Sequence, residues 1–452
     1  MKYRLLVACI AVALSGVALA ADSGDQQRIA ALEARIKVLE ENAAQLQIQA
    51  AKASEAADQA RLAIEELKTS QPANAVLVES VATSSEADVS GDVATTQALS
   101  SANAFNPAIS IILNGSYQYH SLNPEDYYRA GFANLEGTGP ETQGFSLGES
   151  EITLSSNIDD KFYGQITVAF SDEEVGIEEA YIETTSLPNS VTLRAGRFFS
   201  NIGYLNSRHA HTDYFFDRPN AYQSLLANQY GDDGIQIKWV APTDLYIELG
   251  AELFAGSNFP AQGRAQNGFG AQTLFAHFGG DVGSNNSWLA GLSFLNADSI
   301  DAEDGFTGNS KLYIADATWK WAPQGNFKDG GFLLQTEYIF NDRNGEYADA
   351  NIPDFSEPWN GNTSGAYIQG VYRFNKQWEA GYRFDQLWAD ENGPYASDYN
   401  PYRNSVMFAW HNSEFSVFRL QYSLDQPNQT DTDNAIYLQY ITSLGAHGAH
   451  KF

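Results

Sequence analysis

From Phe105 to Phe452 apolar and polar residues alternate with a period of two, and this alternation restricts the fold more than any other feature. In PAISIILNGSYQYH, Ile109, Ile111, Leu113, Gly115, Tyr117 and Tyr119 fall on one side of an extended chain. Ser110, Asn114, Ser116, Gln118 and His120 fall mostly on the other. The same dyad recurs in KFYGQITVAF, GIQIKWV, DLYIELGAELF, GAYIQGVYRF, QWEAGYRFDQLW and NAIYLQYITSL, each bounded by Gly, Asn, Asp or Pro. Sixteen strands are expected, starting near residues 107, 145, 161, 177, 191, 234, 245, 271, 287, 311, 331, 365, 377, 404, 415 and 434. Apolar-out, polar-in alternation in an even number of strands describes an all-β fold, a 16-stranded antiparallel transmembrane β-barrel.

The connections support a barrel. IDD, LPNS, APTD, DVGSNN, FNK and HNSE are brief, whereas Ser121 to Gln143, Ser200 to Asp233, Ala255 to Gly270, Asn341 to Thr363 and Ala389 to Arg403 are long and polar. Short turns at one rim and long loops at the other are the asymmetry of an outer-membrane barrel. Trp239, Trp288, Trp319, Trp321, Trp378 and Trp410 lie in or at the ends of strands, as an interfacial girdle requires. The final Phe452 resembles the assembly signal of bacterial outer-membrane barrels. A soluble sandwich or carbohydrate-binding barrel would account for the strands and aromatics, but not for the even count, the loop asymmetry and the last residue together.

Before the barrel the physics changes twice. Residues 1–20 read as a secretory signal, with Lys2 and Arg4, an apolar run from Leu5, and ALA at Ala18 to Ala20 for cleavage. LVAC ending at Cys9 offers a lipoprotein reading, but the apolar run continues past that cysteine. Cys9 is the only cysteine, so a cleaved chain has no disulfide and no thiol ligand. Over residues 25–68, Ile29, Ile36, Ala43, Ala50, Ala57 and Ile64 fall at one heptad position and Leu32, Leu39, Leu46, Ala53, Ala60 and Leu67 at the other. This seam predicts a self-associating α-helical coiled coil, a trimer rather than a dimer. Residues 69–104, rich in Ser, Thr, Ala and Asp, are expected to be a linker. The barrel then takes residues 105–452. A net charge of −30 excludes a general nucleic-acid surface.

The block ITLSSNIDDKFYGQITVAFSDEEVGIEEAYIETTSLPNSVTLRAGRFFSNIG, Ile152 to Gly203, resembles outer-membrane porins of the phosphate-selective O/P type and their DcaP-like relatives. There a strand, a tight turn and a strand lead into an acidic, aromatic EAY strand and then an LRAGRF strand. A periplasmic coiled coil before a trimeric barrel is similar to the DcaP-like group. The long loops here are acidic rather than lysine-rich, so phosphate selectivity does not carry over. The chain also resembles proteobacterial outer-membrane proteins labelled zinc-regulated, TonB-dependent receptors. It is too short for that mechanism, which needs a barrel of about 22 strands and a folded plug.

Counted from a first strand running outward, Ser200 to Asp233 is the third external loop. In sixteen-strand porins that loop folds inward. The resemblance therefore implies that Arg208, His209, His211, Asp213, Asp217 and Arg218 line a constriction. Strand parity points Arg194, Lys238, Arg373, Arg383 and Arg419 inward, together with Glu248, Glu252, Glu337 and Glu379. Basic wall residues facing acidic loop residues would set a transverse field; alternatively these charges solvate the lumen or pair with one another.

His209, His211 and Asp213 share one side of an extended segment, and two imidazoles with a carboxylate suit zinc. Lining a pore is the alternative role for them. His447 and His450, three apart, would face opposite ways on a strand and make a weaker pair. No GxSxG or HExxH motif is present, so an enzyme is not expected.

The resemblance and the residues together lead to an outer-membrane porin of a Gram-negative bacterium, passing small hydrophilic solutes or ions by diffusion, with its coiled coil in the periplasm. Outer-membrane lipid, the barrel assembly machinery and two further copies in a homotrimer are the expected partners, and no cofactor is required beyond a potential zinc ion. The alternatives are an uptake channel or receptor for zinc or another divalent metal, and a structural tether to a periplasmic partner.

Overall fold

A computed structural model describes residues 107–445, apart from 136, 141–142, 172–174, 264–267, 301–303 and 349–355. The expected signal, coiled coil and linker, and His447 and His450, lie outside the described residues.

Seventeen strands follow one another: β1 (Ala108–Tyr119), β2 (Gly144–Leu147), β3 (Ser150–Asn157), β4 (Phe162–Phe170), β5 (Val175–Thr184), β6 (Val191–Phe199), β7 (Gly231–Val240), β8 (Tyr246–Phe254) and β9 (Ala271–Val282). Then come β10 (Asn286–Ser299), β11 (Phe306–Trp321), β12 (Gly331–Tyr347), β13 (Glu357–Arg373), β14 (Trp378–Trp388), β15 (Tyr402–Ser413), β16 (Ser416–Gln426) and β17 (Asp433–Gly445). Each pairs antiparallel with its neighbours, and β17 pairs back onto β1, with Leu438 opposite Tyr117.

β2 and β3 share one wall position. β1 pairs Gly115 with Leu147 of β2 and Ile112 with Glu151 of β3, so the intervening residues carry one extra position past the same partner strand. The wall is thus a closed 16-stranded antiparallel barrel, as the alternation predicts. Closure pairs every strand edge, which a bilayer demands because lipid offers no hydrogen bonds.

Burial alternates along each strand. On β17, Ile436, Leu438 and Tyr440 are exposed on the outside, while Ala435, Tyr437 and Gln439 are buried on the inside. Aromatics cluster where strands meet the rim bearing both barrel ends: Trp378 stacks on Trp410, Trp410 on Phe418, and Phe418 packs on Tyr440. Short turns occupy that near rim, such as 158–161, 241–245 and 283–285, and the long connections 120–143, 200–230, 255–270 and 389–401 occupy the far one.

One expected loop is shorter than the sequence suggests. β12 runs to Tyr347 and β13 starts at Glu357, and pairing continues from Asn341↔Thr363 to Tyr347↔Glu357. Residues there are polar on both faces, so the hydrophobic signal ends before the hydrogen-bonded ladder does.

Candidate functional site inside the barrel

Residues 200–230, the third connection at the far rim, are held against inward-facing wall residues. Ser200 donates to Glu252 of β8, and the Asn201 N–H to the same carboxylate at 3.0 Å. Glu337 of β12 accepts the Tyr204 N–H at 2.8 Å, the Leu205 N–H at 3.1 Å, the Tyr222 hydroxyl at 2.8 Å and the Tyr367 hydroxyl at 2.6 Å. One wall carboxylate thereby satisfies two backbone donors that no secondary structure would pair.

The loop contains one helix, α1 (Asn220–Leu226), and all of its residues are buried. Ala221, Tyr222, Leu225 and Leu226 pack in one apolar cluster with inward-facing Leu295, Leu312, Ile314, Ile339, Tyr367 and Leu387. Close approach depends on Gly365 of β13: a Cβ there would lie 2.8 Å from that of Ala221. Gly203, at φ +63°, turns the chain beside Glu337 and Tyr222 where a side chain has no room.

Charged groups fix the remainder of the loop. Asp217 meets Arg383 of β14 at 2.9 Å and Arg403 of β15 at 2.6 Å, and Arg383 also bonds Asp385 at 2.9 Å. Burial alone would raise the Asp217 carboxyl, but Arg403 and Arg383 outweigh it and hold it at about 2. Asp213 pairs with Arg218 at 2.8 Å, and its carbonyl accepts from Arg419 at 2.5 Å. Burial pushes the Asp213 carboxyl up despite Arg218 and Arg419. The guanidinium of Arg208 lies 4.1 Å over the Tyr204 ring.

Strand parity placed the wall charges on the inner face, and the structure differentiates them. Arg194 pairs with Glu183 at 2.7 Å, Lys238 with Glu248 at 4.0 Å and Arg373 with Glu379 at 2.6 Å, all along the wall. Arg383, Arg419, Glu252 and Glu337 reach the loop, as does Glu248, which also accepts from Asn201 Nδ2 at 3.2 Å. At Asp217 the loop carboxylate meets the wall cations Arg383 and Arg403 in direct ion pairs, the last being a residue that sequence reasoning did not single out.

The histidines differ from their expected arrangement. Ala210–Thr212 forms a 3₁₀ turn, not an extended segment, and this turns Asp213 away to Arg218. The group beside both imidazoles is Glu151 of β3: its Oε1 lies 2.7 Å from His211 Nδ1 and its Oε2 3.1 Å from His209 Nδ1. Glu178 and Glu179 of β5 approach His209 at 3.1 Å each, from Nδ1 and Nε2. Burial disfavours a charge on His209, yet hydrogen bonds to Glu151, Glu178 and Glu179 outweigh it and hold its pKa well above the ordinary histidine value.

Between this loop and the wall of β1, β16 and β17 lies a cavity of about 220 Å³. His211, Asp217 and Arg218 face it from the loop, and Gln118, Asp433 and Tyr437 from the wall. Polar side chains on both sides suit water and hydrated solutes.

No family model matches the chain. An uncharacterized protein of Aquifex aeolicus (strain VF5) is 28% identical over 394 residues, covering 77% of this chain and 80% of that protein. Among solved structures, Pseudomonas putida OprB aligns with a TM-score of 0.51 and 11% identity, over 78% of this chain and 97% of its own. The outer membrane channel DcaP of Acinetobacter baumannii aligns with a TM-score of 0.49 and 12% identity, over 75% and 97%. The likeness to OprB, with the closed sixteen-position wall, defines the class: the chain has the fold of an outer-membrane porin barrel.

Proposed function

We propose that this chain forms an outer-membrane channel through which small hydrophilic solutes or ions diffuse passively, narrowed by its third far-rim loop. The observation that carries this reading is the seat of residues 200–230: the loop is bonded to inward residues of β8, β12, β14, β15 and β16, with a polar cavity left on one side. Diffusion needs no bistable element or energy source, only an aqueous path with a selective narrow point.

The cavity is lined by Glu149, Asp217, Asp425 and Asp433 against Arg129, Arg218 and Arg403, and the chain carries a net charge of −30. Both support a preference for cations. The apolar outer face supports a place in outer-membrane lipid, which implies delivery by the barrel assembly machinery and the coiled coil on the periplasmic side. β3 to β8 span 8–10 residues each, whereas β11 to β13 span 16 or 17. On that low side Arg197 and Asp233 form a half-exposed ion pair on the outer surface, 2.8 Å apart. A low wall bearing a charged pair favours contact with another protomer over lipid, in keeping with a homotrimer.

The deciding experiment is single-channel recording in planar bilayers. Stepwise conductance increments are expected, with a reversal potential in a salt gradient displaced toward cation preference. A silent membrane containing folded protein would end the channel reading.

A further inference from the structure

We propose that Glu151, His209 and His211 bind one divalent transition-metal ion, zinc foremost, which fastens the third loop to the barrel wall. This goes beyond the channel reading and does not depend on it, because binding is measured on the protein without any transport.

The ligands come from two places that only the fold joins, β3 and the turn at Ala210–Thr212. Their nitrogen and oxygen atoms all lie within 4.8 Å of one another. Tetrahedral zinc, with bonds of about 2.0–2.2 Å, sets its ligand atoms roughly 3.3–3.5 Å apart. The contacts here are 2.7 Å for His211 with Glu151 and 3.1 Å for His209 with Glu151. For these two pairs an ion requires the separations to change by less than about 1 Å, and the two imidazoles stand within the 4.8 Å spread of the set.

A fourth ligand is at hand. Glu178 stands 3.1 Å from His209 Nδ1, the nitrogen that also faces Glu151, whereas Glu179 holds the opposite nitrogen, Nε2, and orients the ring; Glu149, Glu151 and Glu178 form a second convergent set sharing the Glu151 carboxylate. His211 and Glu149 also line the cavity, which gives an ion its route in from the lumen.

The donor set selects the class of metal. Oxygen atoms alone would serve calcium or magnesium. Two imidazoles beside carboxylates shift the preference to zinc and its neighbours, nickel, cobalt and copper. The charge balance points the same way: Glu149, Glu151, Glu178 and Glu179 surround two histidines, and among the described residues the ion pairs of Glu151 and Glu178 are all to these imidazoles.

Occupancy would have a mechanical effect. Asp217 and Glu337 anchor the loop to β12, β14 and β15, whereas on the side of β3 and β5 it is held by the two histidines. A metal would replace those hydrogen bonds with coordination and lower the negative charge beside the cavity.

The test uses full-length protein folded in detergent, stripped with chelator, then titrated with Zn²⁺ by calorimetry and with Co²⁺ by visible absorption. One Zn²⁺ per chain is expected, with micromolar or tighter affinity, and Co²⁺ should give the intense bands of a four-coordinate site. His209→Ala/His211→Ala should weaken binding at least about 100-fold, from loss of two direct ligands. His447→Ala/His450→Ala should leave it unchanged. Retained heat-modifiable gel mobility shows that each variant is folded. If the double variant does not fold, His211→Asn, which removes one ligand at the cavity edge, serves in its place with a loss of about tenfold or more expected.

The proposal is overturned if wild type shows no saturable Zn²⁺ binding, or if binding survives loss of His209 and His211 in a folded barrel. Binding that vanishes with His447 and His450, or Ca²⁺ bound as tightly as Zn²⁺, overturns it equally. Bilayer recordings on the stripped wild type address the channel reading alone, so the two can fail separately.

Discussion

Arg383 Nη2 and Asp217 Oδ1 lie 2.9 Å apart, joining wall strand β14 to a loop residue 166 positions earlier. Arg383 is buried and Asp217 nearly so, and Arg403 completes the pair from β15 at 2.6 Å. A loop that closes a long excursion inside a barrel gains little from local propensity. It is fixed where opposite charges meet out of water, an arrangement costly to break because it leaves one charge unpaired.

Asp217→Asn should therefore leave the buried guanidinium groups of Arg383 and Arg403 to share the single carboxylate of Asp385. A loss of barrel stability is expected, bounded above by the roughly 3–5 kcal/mol that a fully unpaired buried charge costs. Urea unfolding followed by tryptophan emission measures it. In bilayers the variant should show noisier open-channel current, because the loop loses its tie to β14 and β15.

The same carboxyl predicts a pH dependence. Its pKa in the fold, about 2, lies below the ordinary value of 3.8, since Arg403 and Arg383, with a hydrogen bond from Gln421, outweigh the burial that opposes charge; Asp385 shares both arginines. A depressed carboxylate contributes stability that is fully present above the unfolded value and lost as pH falls through the folded one. The stability gap between wild type and Asp217→Asn should be constant from pH 7 to 5 and shrink between about pH 4 and 2. A gap independent of pH across that window would contradict the assignment.

Glu337→Leu should free the loop on its other flank. The substitution leaves the Tyr204 and Leu205 N–H groups and two tyrosine hydroxyls without their acceptor. Each buried orphan costs about 1–3 kcal/mol. Faster backbone amide exchange at 203–206, with the strands still protected, is the expected signature in hydrogen-exchange mass spectrometry.

Leu292 is 62% exposed on the outer face near the middle of β10. Leu292→Arg should cost about 2–4 kcal/mol, the penalty for arginine at the bilayer midplane of a barrel. The readout is the folded fraction after assembly into vesicles over a urea series. A neutral result would place this face against protein or water instead of lipid.

Much of the architecture was legible in the chain. Ile109, Ile111 and Leu113 alternate with inward residues strictly enough to give the strand, its faces and the inward aim of Arg194, Lys238, Glu248 and Glu337. The polar ends of β12 and β13, from Asn341 to Tyr347 and from Glu357 to Thr363, were not legible, because buried positions such as Asn341 and Arg343 are as polar as their exposed neighbours and the hydrophobic alternation disappears. Glu151 and Glu179 carried a weak signal as acidic positions on the inward face of their strands, whereas Glu178 joins them through a bulge in β5 that strand parity does not show. Nothing in the sequence tied them to His209 and His211, which lie 58 and 60 positions after Glu151.

Sequence by itself determined the barrel, since a period of two and the need to satisfy every backbone group in lipid leave a closed sheet as the only solution. Tertiary structure alone decided the occupant of its interior. The 3₁₀ turn at Ala210–Thr212 sent Asp213 to Arg218 and the two histidines to Glu151, because partners for buried charges are chosen by distance in space, which the linear order of residues does not encode.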